Sequence, residues 1–427
     1  MKFPGFSKST DSTPQKGKKL PKKSLFRRIN DWLHLWMGLI SGIIVIIISI
    51  TGCLYAFEKE ISDWLKPYRF VSAQEKSYML PSAMKGRAEE YVSSQIPDSV
   101  EVNIYDVTYF GKNKSAVVAY NHPEHEYTMI YMNPYDGKIL KQDHLKYDFF
   151  RIVLMGHFYL WLPPDIGQPV VATAILIFVF LLITGMVMWW PKNLKKANFD
   201  KSFKIKWNGT FKRVNYDMHN VLGFYFLTIA LILALTGLVW GFQWFSKTYY
   251  WTLTAGKSIP EWKTIESDTT QISATSMQAQ HIDIVWKKML KEYEGQEGNV
   301  GIQFPRGDKG TITFSFNGRP GTYYKREAKS FDQYTLKELP PSSELYGKKF
   351  DEYTLGQKIY KMNYDIHVGA VLGLPGKILA FFASLVCASL PVTGFIIWWG
   401  KRKKGNKKTI QRKKSKAPSS ISEETKN

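Results

Sequence analysis

The chain has 427 residues, of which 44% are hydrophobic, and its formal net charge is +22. Two cysteines, Cys53 and Cys387, exclude a disulfide framework. The charge is clustered: residues 1–31, 191–215 and 400–427 carry +7, +7 and +9, so the rest of the chain is close to neutral. Basic runs also suit nucleic acid, but each of these flanks a long apolar stretch, so topology accounts for them and no nucleic-acid partner is expected.

Four stretches lack Asp, Glu, Lys and Arg: Leu35–Phe57, Ile166–Trp190, Met218–Ser246 and Ile378–Gly400. A bilayer core takes about 20 apolar residues, so each reads as a membrane span. In chain order, residues 1–31 form a basic tail and 32–57 a first span, TM1. Its apolar run exceeds the signal-peptide core of about 7–15 residues. It ends in Phe57-Glu58-Lys59-Glu60 without a small-x-small cleavage site, so it reads as an uncleaved span. Residues 58–150 are expected to form an extracytoplasmic domain: a helix at Ser82–Gln95, then strands at Val100–Tyr105, Ser115–Tyr120 and Tyr127–Met132. The turn Asn133-Pro134-Tyr135-Asp136-Gly137-Lys138 follows. Residues 151–190 hold an interfacial helix and TM2, 191–215 a basic loop, and 216–246 TM3.

Residues 247–360 repeat the first domain, with a helix at Thr275–Tyr293 and strands at Val300–Phe304, Gly310–Phe316 and Thr322–Arg326, ending near Phe331–Leu339. Residues 361–400 hold a second interfacial helix and TM4, and 401–427 a polar tail expected to be disordered. By the positive-inside rule the basic segments and both termini are cytoplasmic. The expected fold class is a membrane all-α four-helix bundle with two extracytoplasmic α+β domains, built by internal duplication. Neither domain shows a catalytic constellation.

Four of the eight histidines, His34, His157, His219 and His367, stand at the start of a span. Histidine is costly in a membrane and marks a functional site by default. Six residues before each is a cation: Arg28, Arg151, Arg213 and Lys361. Four residues before three of them is Asn30, Asn215 or Asn363; Val153 takes that place before His157. Each span ends in a Thr-Gly pair: Thr51-Gly52, Thr184-Gly185, Thr236-Gly237 and Thr393-Gly394. Alternating span directions put His34 and His219 near the cytoplasmic surface with Thr184-Gly185 and Thr393-Gly394. They put His157 and His367 near the external surface with Thr51-Gly52 and Thr236-Gly237.

Two facing imidazoles at each level are the axial ligand set of a six-coordinate haem iron. Without a C-x-x-C-H the haem is not covalently attached, so two haem b are expected. Two levels of two histidines do not supply the three or four converging ligands of a zinc site. The glycines are expected to admit a haem edge, the asparagines to accept the imidazole N–H, and the cations to meet haem propionates. Pro163-Pro164 and Pro375 follow His157 and His367, so these two are expected on short helices above the spans. His144 is a reserve ligand candidate, and the spacing of His122 and His125 fits a solvated loop better than a metal site.

The runs Arg27-Arg28-Ile29-Asn30-Asp31-Trp32-Leu33-His34, Lys212-Arg213-Val214-Asn215-Tyr216-Asp217-Met218-His219 and Lys361-Met362-Asn363-Tyr364-Asp365-Ile366-His367 carry a resemblance. With the Thr-Gly pairs and the Asn133–Lys138 turn, they make the chain similar to the PepSY-associated transmembrane family of iron-regulated membrane proteins. That family includes two-haem ferric-siderophore reductases of the bacterial inner membrane. The resemblance covers nearly the whole chain except the tails. It implies PepSY-like external domains and outward electron transfer to a ferric chelate or siderophore. No dinucleotide or flavin motif is present, so the electron donor is expected to be a separate cytoplasmic protein or membrane quinol. The chain is expected to act as a monomer. The competing functions are a non-enzymatic membrane anchor whose external domains bind or inhibit partners, and an iron transporter, which the apolar mid-spans disfavour.

Overall fold

The computed structural model describes residues 24–96, 103–122, 125–191, 195–272 and 278–414. Most of the expected basic tail, the starts of the strand Val100–Tyr105 and the helix Thr275–Tyr293, and the tail from residue 415 lie outside the described residues.

Ser24 caps α1 (Leu25–Tyr55), its Oγ accepting from the N–H of Arg27 at 3.4 Å. Next come α2 (Glu58–Leu65), α3 (Pro81–Ser93) and the strands β1 (Ile104–Tyr109), β2 (Ala116–His122), β3 (Glu126–Met132) and β4 (Ile139–His144). Asp148 caps α4 (Phe149–Tyr159), accepting from the N–H of Phe150 at 2.9 Å. Leu160 and Trp161 then take left-handed φ of 55° and 58°, and Pro163-Pro164 start α5 (Pro164–Trp189) in a new direction. So His157 rides on a short helix separate from the span, as expected. Short helices α6 (Lys196–Phe203) and α7 (Phe211–Asp217) lead into a π turn over Met218–Leu222. After it come α8 (Gly223–Tyr225), α9 (Leu227–Gly241), α10 (Gln243–Leu253) and α11 (Gln278–Glu292). Strands β5 (Asn299–Gln303), β6 (Thr311–Asn317) and β7 (Arg326–Asp332) precede α12 (Leu355–Lys361), α13 (Asn363–His367) and α14 (Leu374–Lys414). Gly369 and Gly373, at φ 76° and 67°, turn the chain between α13 and α14.

Among the described residues three helices are long and apolar enough to cross a membrane: Leu25–Tyr55, Pro164–Trp189 and Leu374–Arg402. The third expected span differs. Phe211–Tyr225 and Leu227–Gly241 meet at a bend of 64°, and they count as a fourth crossing only if the bent pair is one span. The π turn around His219 loosens the helix just before that bend. Val45 of α1, Phe178 and Leu182 of α5, Ala230 and Ala234 of α9 and Cys387 of α14 share one buried apolar cluster. The opposite faces present Ile40, Ile43, Phe180, Ile183 and Phe382 outward, the surface a lipid environment accepts.

The strands expected in two separate domains form one antiparallel sheet, in the order β4-β3-β2-β1-β5-β6-β7. The join is β1 on β5, with Val107 opposite Ile302 and Thr108 opposite Gly301. Helices α3 and α11 cover one face together. Met84 and Ala88 from the first, Trp286 and Met289 from the second, and Val107, Val118, Ile302 and Phe314 from the strands make a single core. The Asn133–Lys138 turn is present, closed by Asn133 N–H to the Lys138 carbonyl at 2.9 Å with Gly137 at φ 69°. Residues 322–325 are a turn rather than the expected strand, and β7 begins at Arg326.

Candidate functional site

Helices α1 and α5 run antiparallel, so the start of one meets the end of the other. His34 of α1 therefore lies against Thr184 of α5, with Nδ1 2.9 Å from the hydroxyl. At the far end Thr51 of α1 faces His157 of α4, 3.2 Å from its Nδ1. The other half repeats this. Nδ1 of His219 is 2.9 Å from the Thr393 hydroxyl, and Nδ1 of His367 is 2.9 Å from the Thr236 hydroxyl.

Each threonine hydroxyl spends its hydrogen on the carbonyl four residues back: Ile47, Phe180, Ile232 or Ser389, at 2.7–2.9 Å. Such an oxygen can only accept, so each imidazole carries its proton on Nδ1. His157 makes the same point directly, because its Nδ1 also lies 2.8 Å from the Ile48 carbonyl, which cannot donate. In all four rings Nε2 keeps its lone pair.

The rings form two pairs. His34 and His219 have centroids 6.4 Å apart with planes at 89°. His157 and His367, on the side of the sheet, are 6.2 Å apart at 64°. Each expected glycine is there, but it faces an imidazole. A Cβ on Gly185, Gly394, Gly52 or Gly237 would stand 3.2–3.3 Å from Cε1 of His34, His219, His157 or His367. The missing side chain lets the Cε1 edge of the ring come close to the neighbouring helix.

The asparagines also differ from expectation. Asn30, Asn215 and Asn363 do not accept from imidazole; their Nδ2 groups donate to the carbonyls of Thr184, Thr393 and Thr236 at 3.0–3.1 Å. Each fastens the histidine helix to its threonine helix at a second point. Where Val153 replaces Asn, the fastener is lost, and the ring of His157 sits closer to the Ile48 carbonyl than to Thr51. The Oδ1 atom of Asn363 is buried without a hydrogen-bond partner.

The cations have unequal surroundings. The Arg213 Nε donates to the buried Asp217 at 2.6 Å. The Lys361 ammonium donates to the Leu345 carbonyl at 2.7 Å and lies over the rings of Tyr346 and Tyr353. Burial pushes Lys361 down to about 8, against a weaker opposing pull from Glu327. Arg28 and Arg151 are exposed.

Sequence reading missed the aspartates of the two Asn-Tyr-Asp-x-His runs. Asp365 is fully buried and accepts from the backbone N–H groups of Tyr323 and Tyr324 at 2.9–3.1 Å. Burial pushes its carboxyl up, and those N–H groups oppose the shift. It ties the sheet to the helix that carries His367. The signal was present: both runs place Asp two residues before His.

The remaining histidines stand apart. His144 lies among His122 and His125, with ring centroids 4.3–5.3 Å apart, and bonds Thr128 rather than approaching the sheet-side pair. His281 is buried on α11, with Nδ1 2.7 Å from the Gln333 carbonyl.

A membrane protein with paired, tautomer-fixed histidines between apolar helices and an antiparallel sheet at one end is the class these features define. The family described as the PepSY-associated TM region matches residues 32–401, and the chain belongs to that family. A search of curated proteins finds no match to the chain.

Proposed function

We propose that the chain is a dihaem b-type electron-transfer protein of the bacterial inner membrane, with four spans from a duplicated unit. In this reading it reduces ferric chelates, siderophores among them, on the sheet side, with electrons from a cytoplasmic donor or the quinol pool. The observation that carries the reading is the pairing of the imidazoles. Two imidazoles that bond one metal at about 2 Å each hold their centroids about 6 Å apart. The ring separations in the structure are 6.4 Å and 6.2 Å, with both Nε2 lone pairs of each pair uncommitted.

Bound haem iron supplies one-electron chemistry. The chain's own residues do the rest. The threonines hold each Nδ1 proton and so keep Nε2 as the ligand atom. The glycines set ring depth, and the apolar helices exclude water. His34 and Thr51 are 17 residues apart on one helix, so the two levels are separated by about 25 Å along it, a span on the scale of a bilayer core. Arg28, Arg151, Arg213 and Lys361 are assigned to the propionates, with Arg213 shared with Asp217.

The test is a reduced-minus-oxidised spectrum and a haem count on the purified full chain. Two haems per chain are expected, and His34→Ala and His367→Ala should each lose about one. No Soret band, when a control cytochrome loads fully under the same conditions, rejects the proposal.

A further inference from the structure

A cavity of about 940 Å3 lies between the sheet-side helix ends and the second half of the sheet. Its floor includes Tyr55 of α1, Trp240 of α9 and Tyr364 of α13. Tyr55 and Trp240 each stand four residues after a Thr of the Thr-Gly pairs, so both cap the level of the sheet-side histidines. The Trp240 ring is 5.5 Å from the ring of His367 and 6.2 Å from Tyr364. Tyr364 in turn is 4.9 Å from Tyr323, which lines the wall. A continuous row of aromatic rings therefore leads from the sheet-side imidazole into the cavity.

The charge of the lining is one-sided. Lys263, Arg326, Lys329 and Lys361 face it against Glu338 as the one acid among the lining residues. Glu292 and Glu338 hold Lys329. Among the described residues no carboxylate closes an ion pair on Lys263 or Arg326. A concave, aromatic, cationic site of this size fits a small-molecule ligand, for which about 300–1,000 Å3 is usual. Aromatic faces favour flat rings, and a cluster of like charges around one concavity, Lys263 and Arg326 at its exposed rim and Lys329 and Lys361 half-buried, favours a negatively charged ligand.

We infer that this cavity docks an anionic ferric chelate with aromatic, catecholate-type arms over the sheet-side histidine pair. The inference rests on the reading above that a ferric chelate is the electron acceptor, and it names the chemistry that acceptor carries. A tris-catecholate complex of a trivalent metal is triply negative and presents flat rings. A tris-hydroxamate complex is neutral and offers the cations nothing.

Gallium(III) makes the same complexes and does not take up an electron, so binding separates from reduction. Calorimetric titration of the full chain in detergent, with gallium tris(catecholate) and gallium tris(acetohydroxamate), tests the site. The catecholate should bind at least tenfold tighter. Arg326→Gln and Lys263→Gln should each weaken it about fivefold or more at an unchanged haem content, leaving the hydroxamate unaffected. Equal affinity for the two complexes overturns the inference, as does binding indifferent to both substitutions. A fully haem-loaded protein that binds neither complex also overturns it and leaves the haem reading standing, the cavity then serving the haem edge alone. Catecholate binding to a chain that holds no haem supports the site and overturns the haem reading instead.

Discussion

At the scale of single residues the site depends on who owns one hydrogen. The Thr393 hydroxyl gives its hydrogen to the Ser389 carbonyl and so must accept from His219. Thr393→Val keeps the shape and removes the acceptor. The buried Nδ1–H then lacks one partner, a loss of about 1–3 kcal/mol, and Nε2 becomes a weaker base. A weaker base stabilises ferric iron less, so the midpoint potential of that site should rise, and metal retention should fall by about 10–100-fold. Thr393→Ser should restore both. A redox titration of the three proteins measures this, and an unchanged potential and haem content in the valine variant would dispose of the role given to Thr393.

Lys361 gives a second prediction at this scale. Burial holds it at about 8 against an ordinary value of 10.5. Between those values the unfolded chain binds more protons than the folded one, so stability rises with pH across the window. Below about 8 the ammonium is charged in both states and its burial cost is fully present. The groups around it are Tyr346, Tyr353, Glu327 and the Leu345 carbonyl. The wild type should therefore gain thermal stability relative to Lys361→Met as pH goes from 8 to 10.5. Parallel melting curves would contradict the assignment.

At the scale of elements the sequence announced most of the strands but not their partners. Alternation marked β2, β3, β5 and β6 to within a residue or two, because each sends side chains into the core, β2 being buried on both faces. It missed β4, whose residues Ile139–His144 are mostly polar and half-exposed at the sheet edge. It did not reveal that β1 pairs with β5, since a strand's pattern reports which face is buried and not which edge is covered. The join predicts shared stability. Ile302 on β5 is fully buried in a core it shares with Val118 of β2 and Met84 of α3. Ile302→Ala should cost about 2–5 kcal/mol and speed hydrogen exchange at β2 amides as well as at β6. Faster exchange confined to β5–β7 would mean that the two halves open independently.

The helices divide the same way. Charge-free length located the three helices long enough to cross a membrane and the bent pair Phe211–Gly241, and the flanking prolines located the two short histidine helices, because both signals are local. The histidine pairs followed from counting residues along alternating spans. The bend of 64° after the π turn was not legible, since Met218–Ser246 lacks Asp, Glu, Lys and Arg throughout and holds no proline. The ring contacts of the glycines and the second fastening by the asparagines were equally hidden. Both depend on which atom of a neighbouring helix stands opposite, which spacing along one chain does not encode.

At the scale of the whole molecule, charge and architecture separate toward opposite ends. The sheet sits beyond the end that carries His157 and His367, held there by Asp365. The basic loop around residues 195–213 and the basic end of α14 lie at the end that carries His34 and His219, as the contacts to Thr184 and Thr393 require. Moving Lys-rich loops across a bilayer is disfavoured, so the sheet side should face out. Single cysteines test this without disturbing the site. Cys53 and Cys387 are buried and should stay silent to a membrane-impermeant thiol reagent. The exposed positions Lys257, just after α10 and past the sheet-side end of α9, and Lys206, in the basic loop, are the reporters. In intact spheroplasts Lys257→Cys should label and Lys206→Cys should not, and both should label after lysis. Labelling of Lys206→Cys in intact cells would reverse the orientation. The sheet-side cavity would then open to the cytoplasm, where a chelate arriving from outside could not reach it.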